Sequence, residues 1–399
     1  MVKVAVIFES SPFDRKGLFN AVHNRIRHLA ADGRCLVHAF CVHSWDTPFT
    51  ARVRHTPLVA ERVGSCVVDE VTYEMLWYDF SITDHVLVEK LHKRPFFFER
   101  YADAVLNKLS GYDFISAHSF TGGLLAAKAS RKYGIPYHVT WHGSDVHTHP
   151  WRNGLILRET VRVMEEASCN FFVSDALMKD SDRITVNARK KVLYNGVSDD
   201  FMKYDDSVRA DLRKRYGIAD GEKVVAFTGS LVAVKNIYVL QPLFHEIRSR
   251  YDGPLQFWVV GDGKLRHAVE PALKSDDSID VRMWGNVPSE EMPSVMNCID
   301  VMVLPSLNEG LPLVCAEAIR CGANVAGSDV GGIPEVIGKD NVVPLGDGFV
   351  ESLAEMVSGL LRAGKVQIVP SKMDWKTAAA SESDAIISVV SGVRSSESE

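Results

Sequence analysis

The chain has 399 residues, of which 46% are hydrophobic and 24% charged, an ordinary globular composition with enough apolar material for two domains. Its formal net charge is −6, whereas nucleic-acid-binding proteins usually carry a positively charged surface. We therefore expect no nucleic-acid partner. The sequence shows no signal peptide and no apolar run near the ~20 residues of a membrane span, and its seven scattered cysteines suit a reducing compartment. We therefore expect a cytoplasmic protein.

The first half of the chain alternates short apolar runs with amphipathic segments. The run Val2–Ser10 comes first, and the segment after it places Leu18, Val22, Ile26 and Leu29 on one helical face. Later runs of strand length are Cys35–Val42, Cys66–Val71, Phe114–Ser119, Tyr137–Gly143, Asn170–Ser174 and Lys191–Val197. Unbroken apolar strands are buried on both faces, which indicates a parallel sheet covered by helices.

A second series of strands begins after the polar segment Asp199–Ser207, which we interpret as a linker. Its members are Lys223–Ser230, Leu255–Gly263, Val281–Asn286, Val301–Ser306, Ala323–Asp329 and Asn341–Asp347. Two such series predict two doubly wound α/β domains, at residues 1–204 and 205–374, with a helix and a disordered tail at 375–399. Because ligands gather at the carboxyl ends of parallel strands, we expect the domains to face each other across a cleft lined by strand-end loops.

The strand-end loops of the first predicted domain carry a glycine and several histidines. Gly17 precedes a predicted helix, whose amides favour an anion, although on its own a single glycine more often marks an ordinary turn. His118 and His142 end two strands, and Asp145 follows shortly after His142. Metal ligands at helical spacing are lacking here, so contacts to substrate hydroxyls fit these histidines better than a metal site.

The second predicted domain carries a lysine and two glutamates after its strands. Lys235 stands beside a predicted helix start, where a cation and free amides suit a phosphate group. The stretch Leu304–Gly322 continues from a strand into a loop with Glu309, then into a helix from Leu313 to Arg320 that contains Glu317. The helix dipole alone favours one carboxylate near this turn. It does not explain two acids, proline and glycine in this order.

Several of these segments together resemble the family 4 glycosyltransferases of the GT-B fold. The resemblance rests on PSLNEGLPLVCAEAIRCG, GSDVGGIPEVIG, VVGDG, GSLVAVKN, LYNGV and HGSD. Among the features that carry this resemblance, the spacing of seven residues between Glu309 and Glu317 is the most specific. The resemblance implies two Rossmann-like domains and a last helix, preceded by Trp375, that crosses back to the first domain.

The resemblance also implies roles for individual residues. Glu309 would contact hydroxyls of the donor sugar, Glu317 would hold the ribose, and Lys235 would neutralise the diphosphate. The backbone of Gly310, Leu311, Pro312 and Leu313 would approach the sugar and phosphate, Val287 would lie beside the base, and Gly17 would be the phosphate-side glycine. His118 and the His142–Asp145 run, with His142 and Asp145 foremost, would face the sugar and the acceptor.

The chain departs from the family at Ser230, where many members have an arginine that shares the diphosphate with the lysine. A serine donates a hydrogen bond but supplies no positive charge. We therefore expect diphosphate binding to depend on Lys235, on helix dipoles, or on another cation such as Arg15 or Lys16.

The implied reaction is transfer of a sugar from a nucleotide diphosphate, most readily a UDP-sugar, with retention of anomeric configuration. The acceptor would be a glycan or a lipid-linked sugar of cell-surface polysaccharide. Lys235 and the 310–313 amides would stabilise the leaving diphosphate, so neither a metal nor another cofactor is expected. The alternatives are a non-catalytic GT-B partner subunit, which Ser230 favours slightly, and a sugar-nucleotide epimerase.

The segment Val88–Tyr101 interleaves four basic residues with three phenylalanines and has two interpretations. A basic and aromatic surface would suit peripheral contact with a membrane, near a lipid-linked acceptor. Phe98, Tyr101, Val105 and Leu109, however, have helical spacing and would equally form the buried face of a helix. We favour the helix, because Pro95 limits a long amphipathic surface.

Overall fold

The structure is a computed structural model that describes residues 1–13, 17–54, 58–59, 61–91, 93, 96–363 and 367–396. The chain forms two compact units. Unit 1 comprises Met1–Asn195 and Asp374–Glu399, and unit 2 comprises Gly196–Met373.

Unit 1 contains an eight-stranded sheet in the order β3-β4-β2-β1-β5-β6-β7-β8. The strands are β1 Val2–Glu9, β2 Cys35–Asp46, β3 Ser65–Val68, β4 Val71–Phe80, β5 Phe114–His118, β6 Tyr137–Trp141, β7 Cys169–Phe172 and β8 Lys190–Val192. All neighbours are parallel except β3 and β4. The parallel sheet predicted for the first half is therefore confirmed over most of its width.

The prediction of one strand at Cys66–Val71 is wrong. These residues form a hairpin between β3 and β4, whose turn residues Asp69 and Glu70 both have positive φ angles. A two-residue turn of this kind matches the twist of antiparallel strands, but it is usually marked by glycine or asparagine. The sequence therefore lacked the usual signal for it.

Helices cover both faces of the unit 1 sheet. They are α1 Gly17–Ala31, α2 Pro48–Arg54, α3 Ile82–Glu89, α4 Phe96–Leu109, α5 Ser119–Tyr133, α6 Ser144–His147, α7 Gly154–Glu166, α8 Asp175–Asp180 and α16 Trp375–Ser396. The predicted stripe on α1 is confirmed, because Val22, Ile26 and Leu29 are buried in one core. Ile386 and Val390 of α16 belong to the same core, so the last helix does return to the first unit.

Unit 2 contains a six-stranded, all-parallel sheet in the order β11-β10-β9-β12-β13-β14. The strands are β9 Lys223–Thr228, β10 Leu255–Val260, β11 Val281–Gly285, β12 Val301–Leu304, β13 Asn324–Ser328 and β14 Val342–Val343. The helices are α9 Asp206–Arg215, α10 Leu240–Arg250, α11 Arg266–Lys274, α12 Met292–Met296, α13 Leu313–Arg320, α14 Ile333–Ile337 and α15 Phe349–Ala363. This strand order reverses between β9 and β12, as in dinucleotide-binding sheets.

The division between the units falls at Asn195 and Gly196, nine residues before the predicted boundary at 204/205. The segment interpreted as a linker packs on unit 2. The buried Asn297 side chain accepts a hydrogen bond from the Tyr204 amide at 2.8 Å and donates one to the Met202 carbonyl at 3.0 Å. The backbone of this polar segment is therefore held by a buried side chain of unit 2. At the other end, Asp374 already belongs to unit 1.

Part of the Val88–Tyr101 segment lies outside the described residues, as do the side chains of 88–89 and 94–100. Beyond it, Val105 and Leu109 of α4 are buried, as the helical interpretation predicts. The membrane-surface interpretation stays a prediction. Throughout the described part of the chain, none of the helices combines the length and the apolar character that crossing a membrane requires.

Candidate functional site

In unit 2, the two loops at the reversal of strand order carry Lys235 and Glu309. Lys235 follows β9 in a short 3-10 helix, Ala233–Lys235, and Glu309 follows β12. Because adjacent parallel strands end at the same edge, these loops meet although 74 residues separate the two side chains. The helix expected directly after Asn236 starts as another 3-10 turn, and α10 begins only at Leu240.

Lys235 and Glu309 form an ion pair with 2.5 Å between Nζ and Oε1. The Ser306 hydroxyl donates to the same oxygen at 2.7 Å. The Lys235 and Glu309 side chains are 20% and 12% exposed, so the pair is shielded from most of the solvent but remains reachable. Both donors converge on Oε1, and Oε2 accepts no hydrogen bond from the described residues.

The loop after β13 supports the backbone of Glu309. The Gly332 amide donates to the Glu309 carbonyl at 3.1 Å. A Cβ at Gly331 would lie 2.0 Å from that carbonyl oxygen, and Gly331 has a φ of +50°. Any side chain there would displace Glu309, which explains why this close approach requires glycine.

The turn from Gly310 to Leu313 leads directly into α13, which has the predicted bounds, Leu313–Arg320. Pro312 is its N-cap, and Gly310 and Pro312 are buried. Free amides at such a helix start can bind an anion. Glu317 lies on the second turn of this helix, and burial raises its pKa to about 7.

The remaining predicted donor-side residues of unit 2 lie at the same edge of the sheet. Ser230 is exposed in the loop after β9, and Val287 is partly buried after β11. Gly17, in unit 1, is the first residue of α1. The alternative cations Arg15 and Lys16 lie outside the described residues, so their contribution stays a prediction.

In unit 1, His118 and His142 contact each other at the ends of β5 and β6. Nδ1 of His118 lies 3.1 Å from Nε2 of His142. Burial, followed by the neighbouring His142, holds the pKa of His118 well below its usual range. Burial, followed by the charge of Arg25, lowers the pKa of His142 to about 3, against the opposing effect of Glu382. Burial therefore favours the neutral form of both rings.

Asp145 has a role within its own loop. Its carboxylate accepts hydrogen bonds from the Gly143 amide at 2.8 Å and the His142 amide at 3.1 Å. The side chain is buried, and burial raises its pKa although both amides act in the opposite direction. The Asp145 side chain therefore holds the backbone of His142 and Gly143 in place. Its predicted contact with the substrate stays a prediction.

Sequence reasoning missed a buried polar cluster behind these histidines. Glu382 of α16 lies 3.1 Å from Arg25 and 3.0 Å from His138, and it accepts a hydrogen bond from Ser116 at 2.8 Å. Arg25 and Glu382 are 357 positions apart. Each looks like an ordinary surface charge on an amphipathic helix, so no local signal could have found the pair.

The structure offers no arrangement for a metal within the described ranges, since no three His, Cys, Asp or Glu side chains there are grouped to hold an ion. What unit 2 offers instead is a cation, a hydrogen-bonding carboxylate and an amide-bearing turn at one sheet edge. These groups suit a ligand that carries both phosphate and hydroxyl groups.

Both units have the doubly wound architecture of the GT-B fold, and comparisons with solved structures agree. HepE of Anabaena, solved in complex with UDP and glucose, superposes with a TM-score of 0.67 at 17% identity, covering 100% of both chains. Sucrose-phosphate synthase from Thermosynechococcus elongatus gives a TM-score of 0.71 at 17% identity, over 99% of this chain and 98% of the other. At such identities the likeness establishes the fold.

Family models match both halves of the sequence. Residues 15–201 match Glycosyltransferase Family 4, and residues 222–363 match Glycosyl transferases group 1. The chain therefore belongs to the family 4 glycosyltransferases.

Two curated relatives illustrate the range of this family. The glycosyltransferase TuaC of Bacillus subtilis (strain 168), whose provisional name refers to teichuronic acid biosynthesis, is 29% identical over 65% of this chain and 65% of its own. A UDP-Gal:alpha-D-GlcNAc-diphosphoundecaprenol alpha-1,3-galactosyltransferase of Escherichia coli is 27% identical over 57% of this chain and 60% of its own. The matches thus span less than two thirds of these relatives.

Proposed function

We propose that this chain transfers a hexose from a nucleotide-diphosphate donor, a UDP-sugar, to a glycan or lipid-linked acceptor in cell-surface polysaccharide synthesis, with retention of anomeric configuration. The observation that carries the proposal is the contact between Lys235 and Glu309 at the reversal point of the unit 2 sheet. A sheet of this topology binds nucleotides at that point.

The proposed roles follow from charge and hydrogen-bonding capacity. The leaving group is a nucleoside diphosphate, and Lys235 with the 310–313 amides would stabilise the negative charge that develops on it. Glu309 would accept hydrogen bonds from sugar hydroxyls through its open oxygen, and Glu317 would do so from the ribose. Binding the donor would require Lys235 to exchange its contact with Glu309 for the phosphate oxygens.

His118 and His142 offer neutral rings for hydrogen bonds to the sugar or to the acceptor hydroxyl. We propose that no metal takes part, because the cation and the amides can neutralise the diphosphate. The UDP-containing complexes of HepE and the UDP-galactose named for the Escherichia coli relative support a uridine donor and a lipid-diphosphate acceptor.

The test is transfer by the full chain with UDP-, GDP-, ADP- and dTDP-sugars, in EDTA, with undecaprenyl-diphosphate sugars as acceptors. We expect a product with one UDP-sugar, unchanged by EDTA, whose new linkage shows by NMR the anomeric configuration of the donor. Isomerisation of a donor without acceptor would establish the epimerase instead. If the chain shows neither turnover nor nucleotide binding, the remaining interpretation is a non-catalytic GT-B partner subunit.

A further inference from the structure

A carboxylate that the proposed function does not use lies at the carboxyl end of β1. Glu9 is the last residue of this strand, which lies between β2 and β5 at the middle of the unit 1 sheet. The pairing of Ile7 with Ala117 sets Glu9 level with Ser119, the first residue of α5. Ligands of doubly wound sheets gather at this edge. Glu9 is therefore placed where a substrate of unit 1 would bind.

Two hydroxyl groups from distant parts of the chain fix the Glu9 carboxylate. The Tyr78 hydroxyl of β4 donates to Oε1 at 2.5 Å, and the Thr121 hydroxyl of α5 donates to Oε2 at 2.5 Å. Both distances lie at the short end of the range for hydrogen bonds from a hydroxyl to a charged carboxylate. Because both donors are neutral, they orient the carboxylate and leave its negative charge in place.

The fixed carboxylate keeps capacity for further hydrogen bonds. A carboxylate offers about four acceptor positions on its two oxygens, and the two hydroxyls occupy one position on each oxygen. Glu9, Tyr78 and Thr121 are all half-buried, so the group is shielded from most of the solvent but can be reached. One further donor on each oxygen matches two neighbouring hydroxyl groups of a sugar ring.

Two pairs of aromatic rings lie beside this carboxylate. The Tyr78 ring, whose hydroxyl binds Glu9, lies 5.2 Å from the Tyr101 ring. Burial, followed by the charge of Glu9, raises the pKa of Tyr101. Phe120, on the first turn of α5, lies 4.7 Å from the His149 ring. Aromatic surface around a few fixed polar groups is typical of a small-molecule site, and a sugar offers both C–H faces and hydroxyls to it.

His149 adds an unsatisfied polar atom to this surface. Its Nδ1 is buried and has no hydrogen-bond partner among the residues that the structure describes. Burial, followed by the charge of Arg152, lowers the pKa of His149, and the charge of Glu9 opposes this effect. The ring and the carboxylate are therefore close enough to interact. A buried polar atom costs free energy until a ligand or a water molecule binds it.

We propose that Glu9, fixed by Tyr78 and Thr121, binds hydroxyl groups of the acceptor sugar and thereby contributes to acceptor specificity. This inference rests on the proposed function, because it assigns the acceptor of that reaction to unit 1. Tyr78 and Thr121 act through Glu9 and are positioning residues. The proposed donor groups, Lys235 and Glu309, belong to unit 2, so a change at Glu9 should affect the acceptor and leave the nucleotide bound as before.

The experiment compares the acceptor kinetics of the wild-type chain and Glu9→Gln, with UDP-sugar donors and undecaprenyl-diphosphate sugars as acceptors. Glu9→Gln keeps the size of the side chain and removes its charge. We expect the KM for the acceptor to rise by about tenfold or more, because hydrogen bonds to a charged acceptor are the stronger ones. The KM for the UDP-sugar, and the affinity for UDP in calorimetry, should stay unchanged. Tyr78→Phe and Thr121→Val, which each remove one hydroxyl, should raise the acceptor KM by a smaller factor.

Asp79→Asn is the matched control, because Asp79 is a carboxylate near the carboxyl end of β4, at the same edge of the sheet, but is exposed and paired with Arg62. It should change neither KM. An acceptor KM in Glu9→Gln equal to that of Asp79→Asn overturns the proposal, as does an equal rise in the KM for the UDP-sugar. If Glu9→Gln does not fold, Tyr78→Phe and Thr121→Val decide, and an unchanged acceptor KM in both overturns the proposal.

Saturation-transfer NMR tests the same site without turnover. The probes are methyl α-D-glucopyranoside, methyl α-D-galactopyranoside and methyl N-acetyl-α-D-glucosaminide, added to the full chain without a donor. We expect the wild-type chain and Asp79→Asn to give a signal with at least one glycoside, and Glu9→Gln to lose it. A signal that Glu309→Gln loses and Glu9→Gln keeps would place the glycoside in unit 2 and overturn the proposal.

The two measurements separate this inference from the proposed function. Where the chain transfers sugar, the KM values decide. A chain that transfers no sugar but shows the expected NMR signals refutes the proposed function and keeps the sugar site at Glu9. A chain that transfers sugar with an unchanged acceptor KM in Glu9→Gln keeps the proposed function and refutes this site. A chain that neither transfers sugar nor binds a glycoside refutes both.

Discussion

Glu317 allows a prediction in which stability and ligand binding change in opposite directions. Burial raises its pKa from 4.5 to about 7, and each unit corresponds to about 1.4 kcal/mol. The folded chain therefore binds the proton more tightly than the unfolded chain. The ionised carboxylate costs about 2–3 kcal/mol of folding free energy above pH 7, once partial solvent contact is allowed for.

The sign follows from proton linkage. Between pH 4.5 and 7 the folded state holds more protons than the unfolded state, so stability falls as the pH rises through this window and is level above it. Glu317→Gln resembles the protonated side chain. It should match the wild-type chain at pH 4.5 and exceed it by about 2–3 kcal/mol at pH 8.

Ligand binding should respond in the opposite way. If Glu317 holds the ribose, loss of the charged acceptor should weaken UDP binding at pH 8 by about tenfold or more. The assays are urea unfolding at pH 4.5 and 8 and calorimetric titration with UDP at pH 8. Glu290→Gln, an exposed glutamate of the same unit, is the control and should change neither quantity.

Two results would refute this reasoning. An equal stability of Glu317→Gln and wild type at pH 8 would mean that the carboxylate is not penalised by burial. A stabilised variant with unchanged UDP affinity would mean that Glu317 is a core residue rather than a ribose ligand.

Three further predictions concern unit 2. Lys235→Met should lower kcat by about 10²-fold or more in a transfer assay, because it removes the cation proposed for the leaving group; a loss under threefold would contradict that role. Ser230→Arg should tighten UDP binding by up to about tenfold in calorimetry by adding a charged donor, whereas Ser230→Met, with similar bulk and no charge, should not. Asn297→Ala should lower the free energy of unfolding by about 2–4 kcal/mol in urea, since it strands the Tyr204 amide and the Met202 carbonyl; an unchanged midpoint would show that this segment is held by other contacts.

The parts of the fold that local patterns determine were predictable from the sequence. Buried parallel strands such as Phe114–His118 and Val301–Leu304 appear in the sequence as unbroken apolar runs. Their ends lie within about two residues of the predicted ends. The helix Leu313–Arg320 was predicted to the residue, because a proline at its start and a change in apolar spacing mark it clearly.

Features that depend on distant residues were not predictable. The contact between Lys235 and Glu309 depends on which strands are neighbours, and the sequence showed only that each side chain follows a strand. The hairpin turn at Asp69 and Glu70 uses positive φ angles without glycine. The segment before α9 looked like a linker because its partner, Asn297, lies more than 90 positions away. Tertiary contacts decide the first and the last of these cases, whereas the turn lacks the glycine or asparagine that usually marks it.

The return of α16 to unit 1 has a consequence for how the chain folds during synthesis. Domains commonly fold in order as they leave the ribosome. Here unit 1 begins first but lacks Glu382 until the whole of unit 2 has been made. Until then Arg25 lacks its counter-charge and His138 lacks one of its hydrogen-bond partners. Unit 2, continuous in sequence, can therefore complete its core first, whereas the core of unit 1 lacks Ile386 and Val390 until the last helix has been made.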